Sequence, residues 1–129
     1  MAEPVCTAVL VPALLLAATS GIKTGDIVYY DGTRLVKSDA DAVVSYAQFV
    51  VTSGYALATD DKVSVSRNAV FVDTDLTNTV GGLFYLSTTA GGITQTRPTG
   101  AGDLRQVVGQ ALSATEYEIS IRMPFEVEV

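Results

Sequence analysis

The sequence GGLFYLSTTAGGITQTRPTGAGDLRQVVGQAL, residues 81–112, decides the fold prediction for this chain. In LFYLS, residues 83–87, the side chains alternate with the period of two that is typical of a β-strand. The dipeptide Gly91-Gly92 supplies the positive φ angles that a tight hairpin needs, and residues 93–97 then form the returning strand. The loop at residues 98–102 contains Pro98 and two glycines, which cannot continue a central strand. The stretch therefore predicts strand, turn, strand, loop and strand.

Composition extends this prediction to the whole chain, which has 129 residues, 48% of them hydrophobic and 17% charged. The apolar residues are mostly Val, Ala, Leu and Tyr among Gly, Thr and Ser, which favours strands over helices. We predict an all-β fold, a compact small barrel or sandwich with an extended N-terminal arm. Residues 1–19 form the arm and first strand, and residues 20–129 form a single β domain.

Charge and rare residues exclude several functions. The net charge is −6, and the eight Lys and Arg residues are scattered, which argues against a nucleic-acid partner. The sequence has no His and a single Cys, Cys6, so neither a Ser-His-Asp triad nor a Cys/His metal cluster is expected. Cys6 is interpreted as a small apolar residue and not as a reactive thiol. We expect no catalytic residues, no cofactor and no metal.

The N-terminal residues allow more than one interpretation. The apolar run AVLVPALLLAA, residues 8–18, lacks the basic start of a secretory signal and is too short for a membrane span. We expect no membrane association, and residues 14–18 are predicted to be a buried first strand. Residues 5–11 either lie along the sheet of the same domain or pair with a neighbouring molecule.

Further strands are predicted along the chain. Residues 27–30 and 33–36 flank the hairpin signal Asp31-Gly32, and residues 62–66 alternate with Val63 and Val65 inward and Ser66 outward. Residues 38–51 fit a turn and a strand, or a short helix capped by Ser38. The final residues 125–129 alternate apolar and acidic side chains, as on a protected edge strand.

The two halves of the chain resemble each other at offsets of 54 to 57 residues. The segment IVY at 27–29 corresponds to LFY at 83–85, GYAL at 54–57 corresponds to GQAL at 109–112, and Phe71 corresponds to Phe125. We predict two pseudo-repeated β units, residues 21–75 and 79–129. The spacing Asp73-x-Asp75 also permits a calcium ligand pair, but the segment lacks the Gly and the distal Glu of a calcium loop, so a solvated turn is predicted.

Several of these segments resemble a known family. They are GDIVYYDG at residues 25–32, the two G-x-A-L segments, GLFYLS at 82–87, GGIT at 91–94 and the run 98–109. Together they are similar to small β-domain capsid decoration (cement) and head-fibre proteins of tailed bacteriophages, over about residues 20–122. Similar modules also occur in phage tail and tail-fibre proteins.

The resemblance implies a non-enzymatic virion protein on the outer surface of the capsid, assembled in the host cytoplasm. It also implies homotrimers that bridge major capsid protein subunits and stabilise the head. The alternative function is a receptor- or glycan-binding module of a tail or head fibre. The residues proposed to contact the capsid or the trimer partner are Val5, Val9, Leu10, Val11, Arg97, Arg105, Phe125, Glu126 and Glu128.

Overall fold

A computed structural model describes residues 4–9, 14–41, 45–121 and 126–127 of the chain. The described residues contain thirteen strands and no α-helix. None of their segments is a helix long and apolar enough to cross a membrane. In chain order the strands are β1 (Val5–Val9), β2 (Leu14–Ala17), β3 (Ile27–Tyr30), β4 (Leu35–Lys37), β5 (Phe49–Ser53), β6 (Lys62–Ser66), β7 (Asn68–Val72), β8 (Leu83–Leu86), β9 (Ile93–Thr94), β10 (Leu104–Arg105), β11 (Val107–Ala111), β12 (Glu116–Ser120) and β13 (Glu126–Val127).

Two antiparallel sheets form a compact sandwich, which confirms the all-β prediction and selects the sandwich over the barrel. The six-stranded sheet has the order β1-β7-β12-β11-β8-β9, and the five-stranded sheet has the order β2-β6-β5-β3-β4. The short strands β10 and β13 form a separate pair. Hairpins join four of the nine neighbouring pairs in these two sheets, β3-β4, β5-β6, β8-β9 and β11-β12, and the other five pairs are not consecutive in the sequence.

The main core lies between the two sheets. Phe71 and Tyr117, on neighbouring strands of the six-stranded sheet, stack with ring centroids 5.5 Å apart, and Phe84 lies 5.4 Å from Tyr117 at a tilt. Ile27 and Val50 reach this cluster from the five-stranded sheet. Aromatic pairs at such distances add to the stabilisation that burial of their area provides.

A second core lies on the other side of the five-stranded sheet. Val28, Val51, Val63 and Val65 are all buried there. A parallel bridge joins Ala18, just after β2, to Leu35 of β4, so the two edges of this sheet meet. The sheet therefore curls around its own apolar side chains, which explains how its strands are buried on both faces.

The buried ring of Tyr117 gives a testable pH dependence. Burial raises the pKa of Tyr117, and the charges of Asp73 and Cys6 raise it further. An unfolded tyrosine titrates near pH 10, so above about pH 10 the unfolded state loses a proton that the native state keeps. Native stability should then fall with rising pH by up to about 1.4 kcal/mol per pH unit.

The variant Tyr117→Phe should remove this slope, because phenylalanine has no proton to lose. Urea unfolding between about pH 9 and 11 measures the free energy of unfolding of both proteins. If Tyr117→Phe retains the full slope of the wild type, another group causes the alkaline dependence.

The two sheets share one strand order. β2-β6-β5-β3-β4 in one sheet corresponds to β7-β12-β11-β8-β9 in the other, and β1 is added at the edge of the second. The predicted unit of residues 21–75 places β7 with β3 to β6, whereas β7 pairs with β12 in the other sheet. By strand order, β7 corresponds to β2, so the two units suggested by the structure begin with β2 and β7. Both strands lie before the starts of the predicted units at residues 21 and 79. The match of Phe71 to Phe125 lies partly outside the described residues.

Local predictions differ from the structure in three places. Leu14 and Leu15 were expected to be buried, but they are 51% and 64% exposed because β2 is the edge strand of its sheet. Ser66 was expected to point outward, but it is buried, and its hydroxyl donates to the carbonyl of Asn68. The strand predicted at residues 93–97 ends at Thr94. The centre of the helix-or-strand segment, residues 42–44, lies outside the described residues.

Candidate interaction surface

One side of the six-stranded sheet faces away from the core, and we call it the outer face. Its side chains alternate with Phe71 and Tyr117, which point inward. Val72 of β7 pairs with Val5 of β1 on one side and with Glu116 of β12 on the other. Glu118 of β12 likewise pairs with Val70 of β7 and Gln110 of β11. The outer face includes Val5, Ala8, Asn68, Val70, Val72, Leu83, Tyr85, Val107, Gln110, Glu116, Glu118 and Ser120.

The outer face combines apolar and acidic side chains. Val5 is 55% exposed and Leu83 is 38% exposed. Glu116 and Glu118 stand two positions apart on β12, and none of the residues that define the face is Lys or Arg. An apolar sheet surface with carboxylates and without cations is chemically suited to a partner surface that presents apolar and basic groups.

The predicted N-terminal contact residues lie at one edge of this sheet. β1 pairs with β7 of the same chain, with Val5 opposite Val72 and Val9 opposite Ala69. Of the two interpretations of the arm, the structure thus shows pairing within the domain. Val5 and Val9 nevertheless remain about half exposed. Leu10 and Val11 lie outside the described residues.

The remaining predicted contact residues lie elsewhere. Arg97 is exposed and follows β9, which is the opposite edge of the six-stranded sheet from β1. Arg105 lies in β10, where its partner in register is Glu126 of β13. Phe125 and Glu128 lie outside the described residues. The structure therefore does not bring Val5, Val9 and Arg97 together into one site.

The sequence analysis missed several exposed apolar side chains in turns. In the two G-x-A-L segments, Ala56 and Ala111 are buried, whereas Leu57 and Leu112 are 82% and 49% exposed. Val80 is 65% exposed in the turn before β8. The sequence analysis used this motif only to support the internal repeat and the resemblance, and the structure adds that both copies place an exposed leucine after a buried alanine.

The residues considered for chemistry have structural roles where they are described. The carboxylate of Asp73 accepts the N–H of Asp75 at 3.0 Å, which is a local turn. The described residues contain no group of three His, Cys, Asp or Glu side chains that could hold a metal ion. Cys6 is half-buried beside the main core, and burial raises the pKa of its thiol, which lowers the reactive thiolate fraction.

A groove adjoins β1 on the side of the five-stranded sheet. Pro4, Val5, Lys23, Thr52 and Tyr55 line it, and its volume is about 530 Å³. Tyr55 is 56% exposed, so its ring is available at the mouth of the groove. Val5 thus borders both this groove and the outer face.

No family model, curated protein sequence or solved structure matches this chain.

Proposed function

We propose that this chain is a non-enzymatic structural protein that binds the outer surface of a tailed-phage capsid and bridges major capsid protein subunits. The observation that carries the proposal is the outer face, a six-stranded sheet surface with exposed apolar side chains, two carboxylates and no cation among its defining residues. Exposed apolar surface on a sheet marks a site of protein association. The resemblance of residues 20–122 to decoration proteins supplies the partner.

In this proposal, burial of apolar surface provides most of the binding free energy. The charged side chains determine how the protein is oriented on the capsid. Val5, Val72 and Leu83 lose solvent contact against the capsid, at about 25 cal/mol per Å² of apolar area buried. The carboxylates of Glu116 and Glu118 attract basic groups on the capsid surface and repel acidic groups. A homotrimer presents three such faces, so modest affinity per face gives high occupancy. Because the protein binds the expanded form of the capsid, its binding stabilises that form by mass action.

Binding to expanded heads tests the function directly. Heads of the phage that encodes this chain, prepared without it, are incubated with the purified protein and separated by sedimentation. Saturable binding and greater resistance of the decorated heads to heat are expected. A protein that stays in the supernatant at all concentrations contradicts the proposal, and sedimentation of the free protein measures whether it is a trimer.

A pair of charge substitutions tests which surface binds. Leu83→Glu replaces an exposed apolar side chain of the outer face, opposite Gln110, by a carboxylate, and it should lower affinity for heads by about ten-fold or more. Leu57→Glu makes the same change at a turn residue outside that face and should leave binding unchanged. Both side chains are exposed, so both variants should fold, as thermal unfolding will show. The opposite ranking would assign binding to the turns and not to the outer face.

A further inference from the structure

A pocket separate from the outer face lies between the segment before β5 and the start of β7. It is lined by Tyr46, Ala47, Gln48, Arg67 and Ile121, and its volume is about 400 Å³. Small-molecule sites in proteins have volumes of about 300–1,000 Å³. One carboxylate side chain from a partner protein would leave much of this space empty, whereas a single sugar ring suits it.

Arg67 supplies the charge of the pocket. Its guanidinium carbon lies 5.4 Å from the centre of the Phe49 ring. The ion pairs found among the described residues involve Arg34 and Lys37, and none joins Arg67 to a described carboxylate. A guanidinium held against an aromatic face keeps its N–H edge available for a planar, bidentate acceptor. A carboxylate is such an acceptor.

The wall opposite Arg67 is held by hydrogen bonds. The Oε1 atom of Gln48 accepts the backbone N–H of Tyr30 at 2.9 Å, and its Nε2 donates to the hydroxyl of Tyr46 at 2.9 Å. Ala47 is held from behind by the fully buried Gln106, which accepts its N–H at 2.8 Å and donates to its carbonyl at 3.0 Å. A wall fixed before binding loses little entropy when a ligand enters.

We propose that this pocket binds a carboxylated sugar, a hexuronate residue of an acidic polysaccharide. Arg67 binds the carboxylate, and the second N–H of the Gln48 amide is placed to donate to a ring hydroxyl. Ile121 and the ring of Tyr46 offer apolar surface to the C–H groups of the sugar. The proposal goes beyond capsid binding and does not depend on it, since the pocket and the outer face share no residue.

Titration of the full chain with three small molecules tests the ligand class. D-glucuronate, D-glucose and N-acetyl-L-glutamate are added to the ¹⁵N-labelled protein, and shifts of the Gln48 side-chain amide and the Arg67 Nε–H are followed. Saturable shifts are expected with D-glucuronate, with at least about ten-fold weaker binding of D-glucose, which lacks the charge-assisted hydrogen bonds. Binding of N-acetyl-L-glutamate as tight as that of D-glucuronate overturns the sugar assignment, as does the absence of saturable shifts with D-glucuronate.

Variants of Arg67 locate the site. Arg67→Gln should weaken D-glucuronate binding by about ten-fold or more, and Arg67→Lys, which keeps the charge but loses the planar fork, should bind at an intermediate level. Arg97→Gln makes the same charge change at an exposed position after β9 and should bind like the wild type. Equal binding by wild type and Arg67→Gln, each with a dispersed amide spectrum, overturns the proposal.

Discussion

The variant Gly109→Ala is expected to unfold at a much lower urea concentration than the wild type, with a loss of at least about 3 kcal/mol in the free energy of unfolding. A Cβ atom at Gly109 would lie 2.2 Å from the carbonyl oxygen of Glu118 and 3.2 Å from the Cα of Ile119. Both atoms belong to the backbone of β12, the neighbouring strand. A side chain can rotate away from such a clash, whereas a paired strand has to shift.

The position of Gly109 in the sheet increases the cost. β11 is an interior strand, paired with β12 on one side and β8 on the other, and its register with β8 shifts between Val107 and Gly109. Moving β12 to make room would also disturb its ladder with β7 and the stacked ring of Tyr117. The loss is therefore spread over the sheet that carries the outer face.

A second glycine provides the control for Gly109→Ala. Gly21 has a φ of +93°, and a Cβ atom there would meet nothing within 4 Å. Gly21→Ala should cost only about 1–2 kcal/mol, the penalty of a left-handed backbone for an alanine. Equal losses in the two variants would mean that the close approach of β12 to Gly109 is relieved at little cost.

The alternation of side chains was sufficient to predict most strands. Residues 27–30, 62–66 and 83–86 form strands where period-two patterns and adjacent turn residues indicated them. These signals are local, since they depend on the side-chain direction along one strand and on the φ angles of one turn. The predicted hairpin between β8 and β9 is present, with Gly91 at a φ of +80°.

Features that depend on distant pairs could not be predicted from local patterns. The bridge from Ala18 to Leu35 curls one sheet, and it has no signature in either segment. The same is true of the surface, because Leu57 differs from a core leucine only in what the rest of the fold places around it. The predicted contact residues Val5 and Arg97 lie at opposite edges of one sheet. The sequence could not predict this, because the alternation within a strand does not indicate which strands are neighbours.

The pocket was missed for a related reason. No pattern in the sequence singled out Arg67 or Gln106, since a polar residue between two strands usually faces solvent. Burial of Gln106 is explained by Ala47, a residue 59 positions away in the chain. Because both hydrogen bonds go to the backbone of Ala47, the residue type at position 47 carries no signal of the pair.

The second large effect is expected at Gln106. Gln106→Leu replaces the amide by an apolar side chain of similar size and leaves the N–H and the carbonyl of Ala47 without their partners in a buried site. Each such group costs about 1–3 kcal/mol, so the loss for the two groups should be about 2–6 kcal/mol. Urea unfolding followed by circular dichroism measures it.

Gln95 is the matched control for this loss. It makes the same pair of hydrogen bonds to the backbone of Thr79, accepting its N–H at 2.9 Å and donating to its carbonyl at 2.9 Å, but at a solvent-exposed site. Water can replace both bonds there, so Gln95→Leu should cost no more than about 1 kcal/mol. A loss at Gln95 as large as that at Gln106 would contradict burial as the cause.

Gln106→Glu separates the hydrogen bonds from the packing, because a carboxyl group has nearly the shape of the amide. When protonated, it donates to the carbonyl of Ala47 and accepts its N–H, as Gln106 does. When ionised, it has no donor, and its charge is buried beside a carbonyl oxygen. Burial should therefore hold its native pKa above the value near 4.3 of an unfolded glutamate.

The sign of the resulting pH dependence follows from proton uptake. Between the unfolded and the native pKa, the native state binds more protons than the unfolded state, so stability decreases as pH rises, by up to about 1.4 kcal/mol per pH unit. The difference in unfolding free energy between wild type and Gln106→Glu should be small near pH 4 and large at pH 7, since glutamine does not titrate. A difference that is constant with pH would show that packing, and not the two hydrogen bonds to Ala47, makes Gln106 important.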